Sequence, residues 1–226
     1  MLKTLSVLAI SFIIATTSLQ SGYAQRFQHS ILGGANLPLG VPEAFNFGVI
    51  VEYDFEILLN KYFSVGISPV FNIINYKVTT YDHVGTTITK EREMAISSGI
   101  PSWSVYPKVN IPISNSLSFY FASGVGGYFS MSSAYLTTVD YITSDIEVKG
   151  FNSKSKFKLG LNTSIGLLID YNDKFDIITK LSWFNANAGN SMNNLKFEGE
   201  WPDLNVESSI ISISVGATFP LFRAKK

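Results

Sequence analysis

The 226-residue chain contains no cysteine and only two histidines, His29 and His83. Without cysteine there is no disulfide framework, no thiolate metal site, no cysteine nucleophile and no cysteine to carry a lipid anchor. Two histidines are too few for a histidine-rich metal centre. Charge is scarce as well: 15% of residues are charged, against about a quarter in soluble domains. The 17 Lys+Arg are balanced by 17 Asp+Glu, so the basic excess that phosphate contacts demand is missing and nucleic acid is excluded as a partner. No segment after the N-terminal leader approaches 18 consecutive apolar residues, so membrane insertion there cannot be helical. What the chain has in plenty is aromatic residues, 14% of the total, and that composition is too apolar for disorder.

The N-terminus reads as an export signal. Lys3 supplies a positive start, Leu5 to Ala15 a short apolar run, and Ser21-Gly22-Tyr23-Ala24 a small-residue cleavage site. Residues 1–24 are therefore expected to be a cleaved signal peptide. Residues 25–226 lack a Pro/Ser-rich linker and are expected to form one domain.

From Phe27 onward apolar residues alternate with small or polar ones, the period-2 pattern of strands with two unlike faces. Eight segments are predicted as strands: 27–37, 47–57, 63–75, 101–111, 117–131, 157–171, 175–183 and 209–221. In all of them the apolar face falls on odd numbers, as in Phe47, Val49, Val51, Tyr53, Phe55 and Ile57. Every charged strand residue is even-numbered: Glu52, Asp54, Glu56, Lys108, Lys158, Asp170, Asp176 and Lys180.

The connections alternate too. Leu58 to Tyr62, Pro112 to Ser116 and Asn172 to Lys174 are short, whereas 38–46, 76–100, 132–156 and 184–208 are long. Short turns at one end and long loops at the other predict an all-β fold, an eight-stranded antiparallel up-and-down transmembrane β-barrel of the bacterial outer membrane. The short turns are then periplasmic and the long loops extracellular. Within the second long connection, Tyr76 to Tyr81 and Thr86 to Arg92 alternate again, which predicts a hairpin running beyond the membrane and offering an edge to a partner. Pro69, Pro101 and Pro107 are expected to mark bulges or gaps in the ladders or strand boundaries that lie elsewhere, with Pro101 alternatively opening its strand.

Volume decides which face points out. An eight-stranded barrel barely encloses its own inward side chains. The odd face carries Phe, Trp, Tyr, Ile and Leu, while the even face carries Gly34, Gly48, Gly66, Gly124, Gly126, Gly160, Gly166 and Gly216 among many serines. The odd face is therefore expected to meet lipid. Its aromatics sort by depth into two girdles, Phe27, Phe55, Phe63, Phe119, Tyr171, Phe175 and Phe219 near the turns, and Phe47, Phe71, Trp103, Phe129, Phe157 and Trp183 near the loops. An aliphatic band lies between, as membrane interfaces require.

With the leader, the Gly-rich fifth strand Phe121-Ala122-Ser123-Gly124-Val125-Gly126-Gly127-Tyr128 and the closing strand Ile211 to Phe219, the chain resembles the small bacterial outer-membrane β-barrel superfamily. That group includes OmpA-, OmpX- and OmpW-like and PorT-type members. The resemblance implies an outer-membrane barrel that uses the barrel-insertion machinery; for PorT-type members it also implies an accessory part in secretion. The chain departs from the pattern at its end, where Phe222 is followed by Arg223-Ala224-Lys225-Lys226 instead of closing on an aromatic. Phe219 or Phe222 would have to substitute.

The eight inward charges admit two readings: a polar conduit or ligand site, and an internal ion-pair network that fills the barrel. Buried charge must be paired, and eight strands leave no aqueous channel, so the network is the expectation. No catalytic residue, cofactor or metal ligand is expected, and the chain is expected not to be an enzyme. His29 faces lipid, His83 lies in a loop beside Asp82, and neither has a serine partner. The loop carboxylates Glu91, Glu93, Asp140, Asp145, Glu147, Glu198, Glu200 and Asp203 match no calcium-loop spacing. Expected partners are outer-membrane lipid, the insertion machinery and other envelope proteins reached through the long loops. The expected role is structural, surface contact or secretion accessory; the alternative is a carrier or narrow conduit for small apolar molecules, with Tyr120 and Tyr128 in its lumen.

Overall fold

The computed structural model describes residues 26–39, 48–154, 157–172, 174–185 and 209–220. The leader, Phe47, most of the last long connection and Phe222 lie outside the described residues. Ten strands follow in chain order: β1 (Arg26–Pro38), β2 (Gly48–Leu58), β3 (Phe63–Val84), β4 (Thr87–Pro112), β5 (Leu117–Tyr128), β6 (Met131–Asp140), β7 (Ile146–Lys154), β8 (Lys158–Asp170), β9 (Asp176–Asn185) and β10 (Ile210–Pro220). Hydrogen-bonded neighbours run β3-β2-β1-β10-β9-β8-β5-β4, all antiparallel, and the β3–β4 pairing joins the two ends. Eight strands thus close a ring, the up-and-down barrel that the alternation predicts.

β6 is the continuation of β5 along the same partner. Tyr128 faces Ser102 and Met131 faces Gly99, one register interrupted only at Phe129 and Ser130. β7 leads into β8 in the same way with a one-residue change of register, since Met131 pairs with Lys154 and Tyr128 with Lys158. Residues 131–154 therefore form a hairpin where the sequence predicts a long loop. Its apolar-versus-polar contrast is weak, and only the β-branched and aromatic content of Ser133-Ala134-Tyr135-Leu136-Thr137-Thr138-Val139 signals a strand.

The hairpin predicted from 76–92 is present: β3 and β4 pair continuously from Phe63↔Val109 to Val84↔Thr87, with one irregularity at Asp82/His83. Gly85, at φ 62°, supplies the positive φ that a two-residue turn needs at its first central position. The outer halves of β3 and β4, with β6 and β7, make a four-stranded sheet that projects past the loop end of the ring.

The prolines interrupt ladders without shifting them. The β2–β3 register skips from Glu52↔Val70 to Phe55↔Ile67 around Pro69, and β4–β5 skips from Val105↔Val125 to Lys108↔Ala122 around Pro107. Each proline has no N–H to give, so its rung is absent. Pro101 does not open a strand. It lies inside β4, opposite the interruption between β5 and β6.

The two faces differ sharply in exposure. Outward Ile31, Val51, Val125 and Val215 are 54%, 56%, 62% and 57% exposed, while inward Glu52, Asp54, Glu56, Lys108 and Lys180 are at most 4% exposed. This inverts the ordering of a water-soluble protein. The tight ring leaves no space for inward side chains at some positions. A Cβ on Gly166 would lie 1.9 Å from the Thr179 carbonyl oxygen and 2.6 Å from the Tyr120 hydroxyl. Glycine there lets β8 and β9 curve past a buried tyrosine.

Candidate functional site

Inward positions two apart on β2 bring Glu52, Asp54 and Glu56 into one column. Across the lumen β4 contributes Lys108 and β9 contributes Lys180, and the barrel brings all five together. Lys108 Nζ donates to Glu56 Oε1 at 2.8 Å. Glu56 is fully engaged: Oε1 also accepts from the Tyr106 hydroxyl at 3.2 Å, and Oε2 from Gln28 at 2.8 Å and Ser64 at 3.0 Å. Lys180 Nζ donates to Glu52 Oε1, which also accepts from Ser68 Oγ at 2.7 Å, and to Asp54 Oδ2 at 3.1 Å. Two tyrosine rings close over the ammonium groups, Tyr120 at 4.4 Å from Lys108 Nζ and Tyr106 at 5.7 Å from Lys180 Nζ, so cation–π attraction replaces part of the lost hydration.

The other three even-numbered charges stand apart from this cluster. Lys158 and Asp170 open and close β8 and are exposed, and Asp176 opens β9 and is half-buried. Parity puts them on the inward face, but they sit where the wall ends, so the eight-residue lumen network expected from the sequence contracts to five residues. A search for charge alone passes over the neutral members, Gln28, Ser64, Ser68, Tyr106 and Tyr120. Their even numbers are the available signal.

The interior is also less uniformly small than the run of glycines suggests. Leu32, Tyr120 and Ile178 form a buried apolar cluster with Leu168 against it. Toward the loop end Ile50, Ile74, Ile100, Tyr128, Phe184 and Ile210 are buried, with Tyr128 and Phe184 in edge contact at 5.4 Å between ring centres. Between these layers is a cavity of about 10 Å³ lined by Glu52, Asn72, Ser102, Asn162, Ser182 and Ser212 together with Ile50, Val70, Phe184 and Ile210, room for about one water molecule.

On the outside, the described girdle residues all lie on the outward face, half-buried or exposed. At the turn end they touch in two groups: Phe27 stacks on Phe55 at 5.9 Å, and His29, Phe219, Phe175 and Tyr171 form a run with successive ring centres 5.3, 6.1 and 5.3 Å apart. His29 also shares a 3.3 Å hydrogen bond with the Tyr53 hydroxyl. At the loop end Phe71, Trp103, Phe129, Phe157 and Trp183 are exposed. Phe157 and Trp103 lean over Gly127, whose added Cβ would lie 2.1 Å from the Phe157 ring.

The projecting sheet is held by cross-strand ion pairs, Lys77–Glu93 at 2.8 Å, Arg92–Asp82 at 2.8 Å and Lys90–Asp140 at 3.4 Å. At its far turn Asp140 Oδ1 accepts from the backbone N–H groups of Ile142 at 2.9 Å and Thr143 at 3.2 Å. The Thr143 and Ile142 amides, and then Lys90, hold this carboxyl below the usual aspartate range. A lowered folded-state pKa stabilises the turn above the unfolded value, and that contribution is lost as pH falls through the folded value. Hydrogen exchange at the Ile142 and Thr143 amides is therefore expected to stay slow through the ordinary aspartate titration range and to accelerate only below it; acceleration within that range would refute the assignment.

Among the described residues no group of three His, Cys, Asp or Glu is arranged to hold a metal ion. No protein-family model and no curated protein matches the chain. Solved structures do. A major outer membrane protein from Thermus thermophilus is 14% identical, with a TM-score of 0.46 over 88% of this chain and 100% of that one. A de novo designed transmembrane β-barrel is 10% identical, with a TM-score of 0.43 over 87% and 95%. The Yersinia pestis outer membrane protein Ail in a phospholipid nanodisc is 14% identical, with a TM-score of 0.41 over 88% and 100%. At these values the likenesses assign no role.

Proposed function

We infer that the protein is an integral, non-enzymatic barrel of the bacterial outer membrane that meets a partner protein outside the cell through its projecting sheet. Membrane residence is supported by the inverted faces: a continuous apolar exterior of this size needs a cover, and a closed ring satisfies its backbone without water. The short turns 59–62, 113–116 and 171–175 then face the periplasm.

The contact role is supported by one observation. Four strands run on into a common sheet whose last member, β7, pairs on one side only among the described residues. That free edge is a template for an added strand. Exposed Tyr135, Ile142, Ile146 and Val148, at 60%, 73%, 70% and 61%, supply apolar contact beside it. The charges of the sheet largely pair with each other, so recognition by an extended segment suits the surface better than electrostatic capture. A secretion-accessory role, implied by the PorT-type resemblance, is one form of such contact, with another envelope protein at the same edge.

Two measurements test this reading. Replacing 76–96 and 132–154 by short turns is expected to leave a barrel that inserts in vesicles but no longer cross-links to envelope or host-surface proteins captured by the intact chain. In planar bilayers the intact chain is expected to show no stable open state. A steady, ion-selective conductance would favour the conduit or carrier reading and defeat this one.

A further inference from the structure

With all five groups ionised, the buried cluster is not electrically balanced. Glu56 and Lys108 form a neutral pair in which both carboxylate oxygens accept hydrogen bonds, but Glu52 and Asp54 share a single cation among the described residues, Lys180. One negative charge is left over among residues at most 4% exposed, and an uncompensated buried charge is costly. The same two carboxylates each keep one buried oxygen, Glu52 Oε2 and Asp54 Oδ1, without a hydrogen-bond partner among the described residues, and so does Asn162 Oδ1. Glu52 and Asn162 both line the cavity beside the cluster, whose other polar lining comes from Asn72, Ser102, Ser182 and Ser212.

We propose that this cavity is a binding site for one small monovalent cation of the sodium class, held by Glu52 and Asn162 with the surrounding hydroxyl and amide oxygens. Every donor that the lining offers for coordination is oxygen, which suits a hard ion. The volume admits one ion the size of a water molecule and no hydrated complex. Unit charge balances the cluster, whereas a divalent ion would overshoot it. A lone water can satisfy Glu52 Oε2 and Asn162 Oδ1 but leaves the extra charge in place. The ion thereby fixes β2 to β8 across the lumen.

The test is equilibrium unfolding of the intact barrel in phosphatidylcholine vesicles at fixed pH and ionic strength, with sodium chloride exchanged for N-methylglucamine chloride, whose cation is too large to enter. Ligand linkage predicts that the unfolding constant falls up to tenfold for each tenfold rise in sodium above the dissociation constant. Glu52→Gln, which neutralises the excess and so keeps the fold, is expected to abolish that dependence. Asn162→Leu is expected to weaken it. Broadening of the ²³Na resonance by the intact chain, absent with Glu52→Gln, is the second readout. Equal stability in both salts would overturn the proposal, as would sodium dependence that survives Glu52→Gln. So would stability that ignores sodium but falls as pH rises, because a proton would then carry the missing charge.

Discussion

Lys180→Met is expected to lower the stability of the barrel by about 3–5 kcal/mol, the cost of stranding buried charge when its partner is removed. Lys180 is the only ammonium within ion-pair distance of Glu52 and Asp54 among the described residues, and both carboxylates are 2% exposed. Methionine keeps the length and apolar stem of lysine, so loss of packing is small and the effect isolates charge. Urea unfolding in vesicles, followed by the outward tryptophans Trp103 and Trp183, reads it directly. The same cycle has an internal check. Adding Glu52→Gln and Asp54→Asn to Lys180→Met removes the stranded charges and is expected to recover most of the loss, because apolar or neutral replacements of a whole buried ionic group are often tolerated. A Lys180→Met variant as stable as the parent would mean that the cluster is hydrated, and the picture of a filled, dry lumen would fail. Lys108→Met tests the neighbouring pair and is expected to be milder, since Glu56 retains Tyr106, Gln28 and Ser64.

Much of this arrangement is legible in the amino-acid order because an apolar exterior around a polar lumen sharpens the two faces of a strand. Val51 and Glu52 are adjacent in sequence and opposite in environment, one on the exposed exterior and the other in the lumen, and such steps fix register over all eight ring strands. Where the ring ends, so does the contrast. Beyond Tyr135, β6 and β7 are paired strands whose two faces are both largely exposed or only partly covered, and parity no longer separates them. The candidate cluster is half visible for the same reason. Parity finds which charges point inward but not their height, so Lys158 and Asp170 enter the count although they stand at the ends of β8. Nor does parity show which of Glu52, Asp54 and Glu56 meets which lysine. That depends on the stagger of β4 and β9 across the lumen, set by pairings such as Ser64↔Lys108 and Ser214↔Lys180. Pro69 and Pro107 are legible as gaps because their chemistry is local: a missing N–H removes a rung wherever the strand lies.

Val215→Arg is expected to destabilise the barrel by about 2–4 kcal/mol, the range for a cation on the lipid face near the bilayer midplane. Val215 is 57% exposed on β10, opposite Gly33, with Val51 on the far side of that glycine. The turn-end aromatics and the loop-end aromatics lie on either side of this level, so a guanidinium there has a long reach to either interface. Were water the exterior solvent, the same change would place a charge on an already exposed site and shift stability by about 0.5 kcal/mol or less. The substitution therefore separates the two solvents by several-fold. Two controls make the readout specific. Val215→Leu keeps the exterior apolar and is expected to be neutral. Phe219→Arg, at the turn-end girdle beside His29 and Phe175, puts the charge at an interface where the lipid penalty falls to about 0–1 kcal/mol, with the loss of aromatic packing added. A graded penalty, large at Val215 and small at the rim, is what a bilayer imposes and an aqueous surface does not. Equal and small effects at both depths would mean that the apolar exterior is covered by something other than lipid.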